Sequence, residues 1–151
     1  MQRNPYNIDI ASLPKLDGIY LSHSHCDHFD PYSLYAIYQH QSPDIILPET
    51  LNYLRPVLEK HLPGVKIISL EHKSITEWKG LELEGINFPF PLESNENDLL
   101  SLIIQSSREL LFIEVDAQIP DYEGIHEYLF AKFTEKSYER VVHLITRNEL
   151  E

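Results

Sequence analysis

One cysteine, one tryptophan, one methionine and five glycines occur in 151 residues. The lone Cys26 cannot form an internal disulfide, which excludes a small cross-linked secreted scaffold. Long apolar runs are missing too, and none approaches the roughly 20 residues that a membrane-spanning helix needs. The opening MQRNPYNIDIASLPKLDG lacks the apolar centre of a signal peptide. Basic residues are scarce: 12 Lys+Arg stand against 24 Asp+Glu, for a formal charge of −12. The densest basic group is scattered over Arg140 to Arg147. Neutralising phosphates on a nucleic acid or an anionic membrane requires the opposite balance. The expected protein is acidic, soluble and cytoplasmic, with no nucleic-acid partner and no integral membrane segment.

What is present suits one globular domain over residues 1–151. Hydrophobic residues make up 42% of the chain, enough for a core, and ten prolines punctuate short periodic segments. Asp17 to Leu21 reads as a buried strand running straight into a histidine-rich loop. Asp30-Pro31 is a helix start, with Asp as N-cap, Pro at the first helical position and an apolar face of Leu34, Ile37 and Tyr38. Asp44 to Pro48 is the next strand, followed by a helix bearing Leu51, Leu54 and Leu58 and ending at Pro63-Gly64. Val65 to Leu70 is again a strand. Ser74 to Phe88 alternates as a hairpin around Lys79-Gly80, and Leu99–Gln105 with Glu109–Val115 forms a second hairpin turning at Ser106-Ser107-Arg108. A helix over Gly124–Lys136, with Ile125, Leu129 and Phe133 on one face, precedes a strand over Glu139–Ile145. This order predicts an α/β (α+β) fold with a mixed sheet.

The chemistry lies in His23, His25, Asp27 and His28, an H-x-H-x-D-H pattern on the loop leaving the first strand. Imidazole nitrogens and carboxylate oxygens suit Zn(II), Fe(II) or Mn(II), and a metal removes the cost of crowding three imidazoles. His23 and His25 alternate towards one side of an extended loop, and a turn redirects Asp27 and His28. At these frequencies of His and Asp, the pattern arises by chance in about one such chain in a thousand. The competing reading is a solvated loop that is merely rich in histidine.

Across Asp17-Gly18-Ile19-Tyr20-Leu21-Ser22-His23-Ser24-His25-Cys26-Asp27-His28-Phe29-Asp30 the chain resembles the metallo-β-lactamase superfamily. It looks most like the branch of ascorbate-lactonase-like and N-acyl-phosphatidylethanolamine phospholipase D-like proteins. The resemblance implies an αββα sandwich with a metal site at one edge, one or two zinc ions, with iron or manganese as alternatives. It implies that His23 and His25 bind the first metal, that Asp27 and His28 bind the second, and that Asp116 bridges them. Val115 stands where the family has a glycine before that aspartate. Glu93 stands where the family's third histidine is expected, with two readings: a ligand, or a solvated acid in the run Glu93, Glu96, Asp98. The implied activity is hydrolysis of a small-molecule ester, lactone, amide or phosphodiester by a metal-bound hydroxide, with Asp27 as the catalytic residue that orients it and shuttles its proton.

The family's last histidine has no counterpart beyond the final strand, and little sequence precedes the first motif. An incomplete domain is therefore expected at both ends, with a homodimer or a missing segment as possible partner. The alternative function is a catalytically degenerate binding or assembly module. Elsewhere, His40, His61, His72 and His126 are expected at helix ends or in polar turns, and His143 as a packed or edge side chain. Cys26 is expected to be a bystander in the loop. Ser22 and Ser24 lack a nucleophile elbow. Tyr32, Tyr35 and Tyr38 form a stripe expected to line the core or a pocket.

Overall fold

The computed structural model describes residues 9–25, 28–87, 100–115, 122–136 and 138–144. Three strands, β1 (Gly18–Tyr20), β2 (Asp44–Pro48) and β3 (Ile67–Leu70), form a parallel sheet in that order. Tyr20 lies opposite Ile46, which in turn lies opposite Ile68. Parallel neighbours need crossovers, and helices supply them: α1 (Pro31–Gln41) between β1 and β2, and α2 (Arg55–His61) between β2 and β3.

The start of α1 follows from its cap. The Asp30 carboxylate accepts the N–H groups of Tyr32 and Ser33, each at 3.2 Å, and Pro31 needs no partner for a missing donor. The helix stops at Ser42, whose left-handed backbone turns its N–H onto the Tyr38 carbonyl. The second expected helix opens as a 3-10 segment over Glu49–Leu54 before α2, where Pro56 occupies the first turn.

The second sheet has the order β4 (Ile75–Trp78), β5 (Leu81–Ile86), β6 (Ser101–Gln105), β7 (Glu109–Ile113) and β8 (Arg140–Leu144). Its pairs are antiparallel except β7–β8, which are parallel and joined through α3 (Tyr122–Glu135). Lys79 and Gly80, with φ of 50° and 79°, make the two-residue turn between β4 and β5. Ser106 closes the β6–β7 turn, its hydroxyl accepting the N–H of Arg108 and of Glu109. The mixed sheet read from the sequence is thus the second of two sheets; alternation reveals which residues share a face but not which strands are neighbours.

That alternation builds four layers. Ile45 and Leu47 of β2 pack with Leu34, Tyr38, Leu51 and Leu58 on the helical side. Ile46, between them in sequence, points the other way and meets Leu70, Trp78, Leu83, Leu100 and Leu102 between the sheets. Ile103 of β6 turns outward again, joining Ile86, Leu110, Phe112, Val115 and Leu129 beneath α3. The order is helix, sheet, sheet, helix. Each fully buried Leu or Ile in it contributes about 1.5–3 kcal/mol. Of the face expected on α3, Leu129 is buried; the side chains of Ile125 and Phe133 lie outside the described residues.

Two polar seams join the sheets. At one edge, Trp78 Nε1 donates to Asp44 Oδ2 at 2.8 Å, and the indole lies so close to Gly18 that a Cβ there would sit 2.8 Å from its ring. At the other, the Tyr20 hydroxyl donates to the Leu100 carbonyl at 2.6 Å. Burial pushes the Tyr20 phenol well above its ordinary range. No described helix is long and apolar enough to cross a membrane.

Candidate metal centre

Because β1, β2 and β3 run parallel, their C-terminal ends gather at one edge. The histidine loop leaves from β1 at that edge. Leu21 still pairs with the sheet, its N–H on the Ile46 carbonyl at 2.9 Å, and this holds Ser22 and His23 in the interior. The chain then turns back: the N–H groups of His28 and Phe29 both reach the His25 carbonyl, at 3.0 and 2.8 Å. The result is a cluster of three imidazoles. The His23 ring lies 4.6 Å from that of His25, edge-on at 82°, and 4.2 Å from that of His28, tilted by 38°.

His23 is 1% exposed, and its Nδ1 shares a 2.9 Å hydrogen bond with Ser22 Oγ. When Nδ1–H is the donor, the ring presents the Nε2 lone pair, the tautomer that an outer hydrogen bond fixes in metal-ligating histidines. Imidazole nitrogen is a donor type that suits a divalent transition metal, but His23, His25 and His28 as placed do not form a site by themselves. Among the described residues, no group of three or more His, Cys, Asp or Glu forms an arrangement that could hold a metal ion. Asp27, Glu93 and Asp116, together with Cys26, lie outside the described residues.

The strand leading to Asp116 is described up to Val115. Val115 has a φ of 56°, a left-handed backbone that a β-branched residue adopts only at a cost of roughly 1–3 kcal/mol. A valine thus takes the conformation for which a glycine is the usual choice. Just before it, Glu114 is 2% exposed. The alternation of Leu110, Phe112 and Glu114, legible in the sequence, places this carboxylate on the α3 side of the sheet.

His143 packs as expected, its ring 4.8 Å from that of Phe112, and its Nε2 lies 3.1 Å from Glu114 Oε2. His40 and His61 occupy the last turns of α1 and α2. The side chain of His126 is outside the described residues. His72 follows β3 at the edge where the histidine loop lies, and its Nδ1 accepts the Asn87 N–H at 2.9 Å. Partial burial, then the neighbouring Lys73 charge, hold its pKa below the ordinary value. Tyr38 is buried, whereas Tyr32 and Tyr35 turn outward and line, with Phe29, Leu54 and Val57, an apolar cavity of about 510 Å³ beside the loop's exit.

No protein-family model matches the chain, and no curated protein sequence matches it. Solved structures do. A mutant form of the CmlA β-hydroxylase superposes with a TM-score of 0.61 at 16% identity, over 78% of this chain and 25% of that one. CmlA described as a diiron β-hydroxylase from Streptomyces venezuelae gives 0.54 at 16% identity, over 68% of this chain and 21% of that one. YhfI from Bacillus subtilis, described as a metallo-β-lactamase fold protein, gives 0.47 at 13% identity, over 85% and 75%. The chain spans a quarter or less of the length of the CmlA structures. The likeness is one of fold: two packed sheets with flanking helices, the metallo-β-lactamase fold.

Proposed function

We propose that the chain is a metal-dependent hydrolase domain of the metallo-β-lactamase superfamily, closest to its ascorbate-lactonase-like and phospholipase D-like branch, acting on a small-molecule ester, lactone, amide or phosphodiester. The observation that carries this reading is the convergence of His23, His25 and His28 at the C-terminal end of β1. His23 and His25 would hold a first ion, and Asp27 and His28 a second. Asp116 would be a further ligand, and Glu93 would take the place of a third histidine. A bound divalent ion supplies acidified water near neutral pH and polarises the group under attack. The chain's own contributions are orientation and proton handling. Ser22 steadies His23, and the Asp27 carboxylate receives and passes on a proton. A surface carrying a formal charge of −12 disfavours polyanionic substrates.

A second reading, iron-dependent oxygen chemistry, draws support from the likeness to a protein described as a diiron β-hydroxylase. Carboxylates at Glu93, Asp27 and Asp116 would suit iron at least as well as zinc.

The test begins with untagged protein and its metal content per monomer by elemental mass spectrometry. Two equivalents of zinc or manganese, with turnover of a lactone, ester or phosphodiester panel, support the hydrolase. Iron with reductant-dependent oxygen consumption and no hydrolysis would replace it with the second reading. Replacing His23 and His25 together by Ala should bring bound metal to background while the far-ultraviolet circular dichroism stays unchanged. Wild-type protein that stays metal-free after reconstitution would instead assign the chain to a binding or assembly module, working with a second copy or a separate segment.

A further inference from the structure

The inner face of the second sheet is unevenly covered. The register lines up Thr76, Leu83, Ile104, Leu111 and Val142 across its five strands, with Leu102, Ile113 and Leu144 in a neighbouring row. Directly opposed residues share a face, and Leu83 and Leu102 show which one: they meet Ile46 and Leu70 of the first sheet. Burial fades along both rows. Leu83 and Leu102 are fully buried, Ile104, Leu111 and Ile113 are half-buried, and Val142 and Leu144 are 37% and 50% exposed. Among the described residues, three strands face five, and β8 has β7 as its one neighbour. The overhang carries a cavity of about 250 Å³ lined by Leu81, Ile104, Leu111 and Val142, together with Glu109 and Arg140.

Contiguous apolar surface of this kind marks an association site, and charge indicates the partner. The chain carries −12, so two copies repel unless they meet where the local charge is balanced. At the overhang it is balanced. Arg140 pairs with Glu109 at 2.5 Å in the row beside Leu111 and Val142, and Arg108 pairs with Glu139 at 3.7 Å at the same end of β7 and β8. A two-fold axis through this patch sets each copy's Arg140 against the other's Glu109, so one surface serves both sides. A strongly cationic partner gains no steering from such a patch, and an anionic one meets as many acids as bases.

We infer that the chain forms a two-fold dimer through the inner face of β6–β8, in which Leu111, Val142 and Leu144 are covered by the same face of a second copy and Arg140 crosses to Glu109. Removing the exposed valine and leucine from water drives the contact, and the exchanged ion pairs fix its register. The inference goes beyond the metal reading and does not depend on it.

The experiment is sedimentation equilibrium of the untagged full chain over a range of concentrations. A chelator keeps metal from bridging copies, and far-ultraviolet circular dichroism checks the fold of each variant. Wild type should sediment as a dimer at micromolar concentration. Val142→Glu should weaken the association by about tenfold or more. Arg140→Glu and Glu109→Arg should each do the same, because like charges then face one another across the axis. The exposed pair within one copy is worth little to folding, so these two variants carry the test if Val142→Glu fails to fold. Mixed in equal amounts they should dimerise again, since the acids of one copy then meet the bases of the other. Wild type that is monomeric at every concentration would overturn the inference, as would a dimer that none of the three variants weakens. Charge-reversed variants that stay apart on mixing would overturn the crossing of Arg140 to Glu109 and the inference with it.

Discussion

Beneath α1 and α2 the first sheet offers almost only hydrocarbon: Ile45 and Leu47 meet Leu34, Leu51, Leu58 and Leu62, and the hydroxyl of the buried Tyr38 goes to the Pro63 carbonyl. Beneath α3 the second sheet buries Glu84, Gln105 and Glu114 among its aliphatic residues. The helix side answers in kind. Tyr128 and Lys132 bond to Glu84, Lys136 to Glu82 at 2.6 Å, and Tyr138, just past the helix, to Gln105 at 2.7 Å. Hydrocarbon sets the distance between layers and tolerates sliding, whereas paired carboxylates fix the register. The polar layer runs from Glu82 and Glu84 of β5 through Gln105 of β6 to Glu114, which meets His143 of β8.

The comparison breaks most readily at Glu84. Glu84→Ala leaves Lys132 facing an emptied site and should cost about 4 kcal/mol in chemical denaturation, while Glu84→Leu with Lys132→Met should come out near wild type. A single variant costing under about 1 kcal/mol would show that the pair is merely decorative. In the apolar layer Leu47→Ala should cost about 3 kcal/mol but Leu47→Met less than about 1.5. If the methionine variant proves as damaging as the alanine one, the hydrocarbon layer is not the forgiving one.

A smaller effect sharpens the strand end. At Val115 the usual order of substitutions should invert. Gly relieves the left-handed strain that Ala retains, so Val115→Gly should be about 1 kcal/mol more stable than Val115→Ala. The smallest effect concerns the cap of α1. Hydrogen bonds from Ser33 and Tyr32 hold the Asp30 carboxyl below its ordinary value of 3.8. Its stabilisation is therefore present above that value and lost as pH falls through the lower folded one. Thermal melts of wild type and Asp30→Asn should differ at neutral pH and converge in acid.

Local signals in the sequence were strong wherever one or two residues dictate the backbone. Asp30-Pro31 starts a helix, Lys79-Gly80 turns a hairpin, and the histidine loop leaves a strand, each where expected. Glu84 was illegible because Leu81-Glu82-Leu83-Glu84 reads as an ordinary half-exposed strand; only the docking of α3, some forty residues later, buries one of its acids. The two-sheet sandwich came from the resemblance and not from the alternation, which carries no information on strand order because that depends on contacts far apart in the chain. Val115 looked like a departure from the family pattern, yet its backbone takes the conformation a glycine would. Asp27, Glu93 and Asp116 fall outside the described residues, so their reading still rests on the motif.

The hydroxyl of Tyr20, sealed against Leu100 between the sheets, gives the sandwich an optical lock. Its phenol resists ionisation while the seam is shut and would ionise readily once the sheets part. Stability is thus drained as pH climbs above the ordinary tyrosine range near 10, and the ultraviolet signature of phenolate from this ring marks separation of the sheets. In alkaline solution, the difference in phenolate absorbance between wild type and Tyr20→Phe reports the opening of the seam.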